Sequence, residues 1–319
     1  MSFYVENAPY FADVADGPET GKAYWLTASD GVRIRAGVWP LASGDAKGTV
    51  FILPGRTECV EKYGRGASDF AALGYASLAI DWRGQGIADR LLPNRNIGHV
   101  ETFSDYQKDL DAVIAMADAL ALPKPYFLMG HSMGGAIGFL TLKGDAHPFK
   151  AATFSAPMWG IGLNLIQRAM IRVLGPMFSA VGKSGRIAIG TREQPYMLWK
   201  SFEGNTLTSS REMYEYMARQ VTEYPDLALG GPSVHWVQES LRENEEVAGL
   251  PSPDVPALCF LGTDEQIVHT DAVRRRVTQW PRCELVEVEG ARHEIPMETP
   301  ETRAQFYGKS AALFDAHRG

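Results

Sequence analysis

Tyr126-Phe127-Leu128-Met129-Gly130-His131-Ser132-Met133-Gly134-Gly135-Ala136-Ile137-Gly138-Phe139-Leu140 decides the reading of this chain. Its first four residues form an apolar run of strand character. Its last seven are small and apolar residues suited to the start of a helix. Between them lies a G-x-S-x-G pattern, Gly130 to Gly134. A serine on so sharp a strand-to-helix turn has its hydroxyl pushed into the open, and the glycines let the backbone turn without a Cβ clash. The helix start behind it offers unpaired backbone N–H groups where negative charge can develop. In a chain with 32 glycines the pattern alone carries little weight. The flanking strand and helix make Ser132 a candidate nucleophile.

Outward from that turn, short apolar strands alternate with helices. Ala23–Thr27 and Val32–Trp39 alternate in polarity about Asp30-Gly31, which reads as a hairpin turn. Thr49–Leu53 is a strand, Tyr63–Leu73 a helix ending at Gly74, and Tyr75–Ile80 a buried strand. Ser104-x-x-Gln107 looks like a capping box ahead of Tyr106, Leu110, Val113, Ile114, Ala117 and Leu120 at helical spacing. The alternation resumes with a helix over Ser233–Ala248, a strand over Val255–Leu261, a helix over Thr270–Trp280, a strand over Glu284–Val288 and a closing helix over Pro300–Ala316. This pattern predicts an α/β fold, a mostly parallel central sheet with helices on both faces. The alternation breaks between Ser155 and Gly231. The expected organisation is therefore a core domain, residues 1–155 and 232–319, with an inserted helical cap over 156–231.

Composition narrows the function classes. The 319 residues are 45% hydrophobic and 22% charged, with a formal net charge of −7 and no long basic run, which disfavours nucleic acid as a partner. Three cysteines (Cys59, Cys259, Cys283) and the lack of an apolar, basic leader fit a reducing, cytoplasmic setting. No Cys/His cluster reads as a metal site, and the expected chemistry needs no cofactor.

A serine hydroxyl needs a base, and the base needs an orienting acid. On this architecture the order is Ser, acid, His, each in a loop after a strand. Of seven histidines, His293 alone sits in a loop directly after a late strand, so it is the expected base. Asp264, after Cys259–Thr263, is the expected acid, with the adjacent Glu265 as competitor. Asp271 reads as a helix cap. An oxyanion hole needs two backbone donors; the N–H groups of Met133 and Arg56 are the candidates. The Arg56 side chain is a further candidate for contact with a phosphate.

These residues resemble the lysophospholipase and monoacylglycerol lipase group of α/β-hydrolases. Gly130-His131-Ser132-Met133-Gly134-Gly135, Asp264 and His293 carry the likeness. Pro54-Gly55-Arg56-Thr57-Glu58-Cys59-Val60-Glu61-Lys62-Tyr63 is similar to the group's H-G-x-x-E-H-x-x-R-Y stretch, with Pro54 and Cys59 where the group has histidines. Asp81-Trp82-Arg83-Gly84-Gln85-Gly86 looks like its D-x-x-G-x-G turn, as in bacterial lysophospholipase-like members. The resemblance implies a serine hydrolase with a cap, acting on carboxylic esters of glycerol or glycerophospholipid.

The insertion adds a basic and apolar character. Trp159–Arg192 contains Arg168, Arg172, Lys183, Arg186 and Arg192 and no acid, among apolar residues that include Ile161, Leu163, Leu165, Ile166, Met170, Ile171, Val173, Leu174, Met177 and Phe178. Such a helix suits an acyl-chain wall and peripheral contact with the inner membrane surface. Glu58, Met158, Trp159 and Trp236 are candidate substrate-binding residues, and Met170, Met177, Met197 and Met213 can supply a yielding apolar wall. A rival within hydrolases is an amidase or aminopeptidase, with Glu203, Glu212, Glu215 and Glu223 holding the substrate amine. A rival outside them is a silent hydrolase fold used as a ligand receptor.

Overall fold

The computed structural model describes residues 5–144, 146–162 and 165–319. Among these residues nine strands form one sheet: β1 (Glu6–Ala8), β2 (Lys22–Thr27), β3 (Arg33–Trp39), β4 (Thr49–Leu53), β5 (Ala76–Asp81), β6 (Tyr126–His131), β7 (Phe149–Ser155), β8 (Ala257–Gly262) and β9 (Cys283–Val288). Their order is β1-β2-β3-β5-β4-β6-β7-β8-β9. β1, β2 and β3 pair antiparallel with their neighbours, and every pairing from β5 to β9 is parallel. β1 is too short to carry a sequence signal. The reversal of order around β4 brings the carboxyl ends of β4 and β6 side by side, and reactive groups collect at such ends.

Among the described residues ten α-helices accompany the sheet: α1 (Ala12–Ala15), α2 (Gly64–Ala72), α3 (Asp105–Ala119), α4 (Met133–Lys143), α5 (Leu165–Ala180), α6 (Tyr196–Trp199), α7 (Arg211–Glu223), α8 (Val234–Gly249), α9 (Thr270–Thr278) and α10 (Pro300–Ala316). Two hydrophobic cores lie on opposite faces of the sheet. One gathers Val113 of α3, Ile137 of α4, Trp236 of α8 and Val273 of α9. The other gathers Phe70 of α2 and Phe306 and Phe314 of α10. Apolar strands such as Val50–Leu53, buried on both faces, are what a covered parallel sheet requires.

Local chemistry differs from expectation in two helix starts. Ser104 precedes α3 as foreseen, but its hydroxyl meets Thr102 instead of capping the helix, and the Gln107 side chain donates to Ile137 O. The capping box therefore does not form. His269, not Asp271, caps α9, its Nδ1 accepting from Ala272 N at 3.2 Å. Between β7 and β8 the described residues contain α5–α8 and no strand of the sheet.

A buried ion network joins β3, the end of β5 and the segment after β4. Arg35 on β3 pairs with Glu61 (2.6 Å) and Asp81 (2.7 Å), all three side chains interior. Asp81 also accepts from the backbone N–H groups of Val60 (2.8 Å) and Ile87 (3.0 Å). A Cβ on Gly86 would lie 2.1 Å from Asp81 Cγ, and Gly86 has φ of +49°. The D-x-x-G-x-G turn is thus a loop wrapped on its own aspartate.

Candidate active site

Ser132 sits between β6 and α4 with φ 49° and ψ −117°. A side-chain-bearing residue holds such a backbone only where its surroundings over-determine it. Here Ser132 N donates to Ser155 O (3.0 Å), and Ser132 O accepts from Met158 N (2.8 Å) and Gly135 N (2.9 Å). A Cβ on Gly134 would fall 2.0 Å from Leu53 O, and one on Gly130 would fall 2.9 Å from Gly134 O. Backbone has no rotamer with which to yield. Gly134→Ala is expected to lower the urea midpoint, at the upper end of the about 1–3 kcal/mol typical of overpacking.

His293 lies in the loop after β9, and its Nδ1 is 2.7 Å from Glu265 Oε2. The acid in contact with the imidazole is therefore Glu265, and the expectation of Asp264 is corrected. The cause is local geometry. Thr263 N bonds Val288 O, and Asp264 N bonds Ala291 O at 3.0 Å, which stitches the β8 loop to the histidine loop. That stitching leaves the Asp264 side chain in solvent. The next residue turns inward, and glutamate's extra methylene reaches the ring. Ile267 N and Val268 N donate to its other oxygen. Burial pushes the Glu265 carboxyl up, but the His293 ring and those N–H donors outweigh it and hold the group below the ordinary glutamate value.

The loop after β4 lies against the nucleophile, since a Cβ on Gly55 would sit 3.0 Å from Ser132 Cβ. Three side chains hold this loop. Glu58 accepts from Gly55 N (2.6 Å), Gln85 donates to Gly55 O (3.0 Å) and accepts from Thr57 N (3.1 Å), and Trp82 donates to Pro54 O (2.9 Å). Among the described residues the Arg56 N–H has no protein acceptor. Met133 is the first residue of α4, so its N–H has no intrahelical acceptor either.

A charged cluster that sequence reasoning missed lies beneath. Lys62 Nζ bridges Glu58 Oε1 (2.7 Å) and Glu294 Oε2 (2.6 Å), and Tyr63 donates to Glu58 Oε2 (2.6 Å). His131 Nε2 stands 3.2 Å from Glu294 Oε2 and 3.4 Å from Glu58 Oε1. Its ring centre is 4.9 Å from that of His293. Glu58, His131 and Glu294 offer ligand atoms within 4.8 Å of one another, the one such candidate metal group among the described residues. The Lys62 ammonium already stands between the two carboxylates, supplying the cation that such a set would otherwise attract. Because Glu294 follows the histidine by one residue and Glu58 precedes Lys62 by four, a Glu/Lys/Glu pairing was visible only in its i, i+4 half.

Burial opposes charge at Lys62, His131 and Glu294, yet there the partners win. Glu294 and Glu58 push the His131 imidazole and the Lys62 ammonium up, while Lys62 and His131 hold Glu294 well below the ordinary carboxylate range. A depressed carboxylate contributes stability that is present above its unfolded value of 4.5 and lost as pH falls toward the folded one. The raised imidazole contributes stability that is complete below 6.5 and lost as pH rises through its folded value. Glu294→Gln is expected to cost about 3–5 kcal/mol at neutral pH, as for one partner removed from a buried pair. It should also flatten the fall in stability below pH 4.5. Urea unfolding across pH checks both.

Ser132 and His293 open into a cavity that offers about 260 Å³ to water-sized molecules. Its apolar wall comes from Met158, Ile161, Met197, Met217, Val221 and Val268, and its polar end from Arg56, Glu58 and Lys62. Glu58, Met158 and Trp236 line it as expected. Trp159 does not; it is buried in an aromatic cluster with Phe154 and Trp280 and donates to Gly135 O at 3.1 Å. Met213 is core, and Met170 and Met177 face outward. Leu163 lies outside the described residues, as do the side chains of Leu165, Ile166 and Leu174.

Residues 44–300 match the family model Hydrolase_4, described as serine aminopeptidase, S33. Lysophospholipase L2 of Escherichia coli strain K12 is 31% identical over 283 residues, covering 84% of this chain and 80% of that protein. A soluble variant of the Saccharomyces cerevisiae monoglyceride lipase, crystallised with a substrate analog, superposes with a TM-score of 0.71 at 19% identity, over 92% of this chain and 95% of that one. The Paleococcus ferrophilus monoacylglycerol lipase does so with 0.69 at 19% identity, over 89% and 99%.

Proposed function

The chain belongs to the Hydrolase_4 (serine aminopeptidase, S33) family, and from that premise we propose that it is a serine esterase cleaving the acyl ester of single-chain lipids, lysophospholipids or monoacylglycerols. The observation that carries the reading is the convergence of Ser132 and the Glu265-bonded His293 on one apolar-walled cavity. Ser132 Oγ attacks the ester carbonyl while His293 Nε2 takes its proton. Glu265 holds the Nδ1–H tautomer and balances the imidazolium that forms. The Arg56 and Met133 N–H groups receive the oxyanion, and a preorganised donor of this kind contributes about 2.7–4 kcal/mol. His293 then protonates the departing alcohol, and water, activated by the same imidazole, releases the fatty acid. No step calls on a metal or organic cofactor.

Lipid as substrate fits two further features. Met158, Met197 and Met217 make the cavity wall unbranched and adaptable. On the outside of the helical insertion Val173 (63%), Met177 (60%) and Ile189 (76%) are exposed in a segment whose charges are all basic. Such a face suits peripheral docking on an anionic lipid surface. No described helix is long and apolar enough to cross a membrane. The aminopeptidase alternative loses its anchors. Glu203 and Glu215 face Arg211, Glu212 faces Arg65, and neither these nor Glu223 lines the cavity.

The test is a fluorophosphonate probe followed by a matched panel of acyl esters and aminoacyl amides. Labelling at Ser132 and turnover of the esters support the reading. An unlabelled folded protein favours a receptor, and preferred cleavage of amides favours the peptidase.

A further inference from the structure

We propose that the Arg56 guanidinium is the subsite for the phosphodiester of a lysophospholipid, and so decides for that substrate over a neutral monoacylglycerol. The proposal rests on the esterase reading above and assigns a head group to the same cavity.

Other arginines drawn into this protein's interior each hold two or more partners. Arg35 holds Glu61 and Asp81, Arg83 holds Asp109 and Asp30, and Arg90 donates to five backbone carbonyls. Among the described residues Arg56 makes one hydrogen bond, from Nη1 to Gly230 O at 2.8 Å, and its guanidinium stands 5.5 Å from the Trp236 ring centre. Among the described residues no carboxylate pairs with it. Burial, relieved only by Tyr106, pushes it down to about 10, so an incoming anion would meet a cation lacking a counter-charge. A guanidinium has five donors in a planar fork that matches phosphate; most of them remain unused here.

The rest of the cavity sharpens the assignment. Lys62 also lines it, but its ammonium is spent on Glu58 and Glu294. Arg56 is thus the one uncommitted arginine or lysine among the lining residues described. Its own N–H is proposed to hold the ester oxygen, so the guanidinium reaches from the reacting carbonyl toward Gly230 and Trp236. A phosphodiester separated from the ester by a glycerol backbone falls along that reach. A fatty carboxylate, formed at Ser132 itself, does not.

The experiment compares 1-palmitoyl lysophosphatidylethanolamine with 1-palmitoylglycerol in the same neutral detergent micelles, for wild type, Arg56→Gln and Arg56→Lys. Active sites are counted in each by fluorophosphonate labelling. The ratio of kcat/KM, phospholipid over monoacylglycerol, is expected to fall between about 10- and 100-fold in Arg56→Gln, the range for a lost charge-assisted hydrogen bond, and less in Arg56→Lys. An equal loss on both substrates would make Arg56 a structural tie to Gly230 and overturn the proposal, as would an unchanged ratio. If wild type neither labels nor turns over either ester, the esterase reading fails. Calorimetric binding of glycerophosphoethanolamine then decides the subsite: binding lost in Arg56→Gln upholds it, and binding absent or unchanged overturns it.

Discussion

Turnover of any acyl ester by the Ser132→Ala protein is expected to fall on the order of a million-fold, and fluorophosphonate labelling to vanish with it. Residues of a nucleophile–base pair act as one unit, so His293→Ala should cost about as much and the double variant hardly more. Ser132 keeps its backbone place through Ser155 O, Met158 N and Gly135 N, none of which involves the hydroxyl. The alanine protein should therefore fold normally, and an unchanged urea midpoint would show that chemistry alone was lost. Retained turnover after His293→Ala would mean that another group takes the proton.

The second large effect separates two adjacent acids. Glu265→Gln should lower kcat by about 10⁴-fold, because an amide in place of the orienting carboxylate fixes the wrong tautomer of the base. Asp264→Asn should change kcat little, since that side chain points to solvent and the residue's structural bond runs through its backbone N–H. The pair is a sharp test because the substitutions are chemically equivalent and one residue apart. If Asp264→Asn were the crippling change, the contact between Glu265 and His293 would be incidental to catalysis.

That one-residue difference shows what the sequence could reveal. The strand–turn–helix around Ser132 was legible because glycine at 130 and 134 is dictated by backbone approach, which leaves its mark locally. The succession of strands along the chain and the late histidine loop were legible for a similar reason: each is written in a run of apolar residues. Which of two neighbouring acids faces the ring depends on how the β8 loop is laced to Ala291 and Val288, and no local pattern records that lacing. The Lys62–Glu294 pair spans 232 positions and was invisible in the same way. Trp159 was misplaced because an aromatic side chain beside a catalytic turn suits a pocket wall and a core equally well, and only its bond to Gly135 O decides.

The helices between β7 and β8 are tethered unequally. Tyr216 of α7 donates to Ala15 O and Glu61 O, Gln220 to Val14 O, and Arg219 pairs with Asp16, which pins α7 to the N-terminal segment and the sheet side. α5 packs chiefly on α8, carries Pro176 within it and turns Val173 and Met177 outward. Local opening is cheapest where few buried contacts must break. No described residue of α5 lines the cavity, whereas Met217, Gln220 and Val221 of α7 do, so cutting away the first sixteen residues is expected to loosen the cavity wall itself.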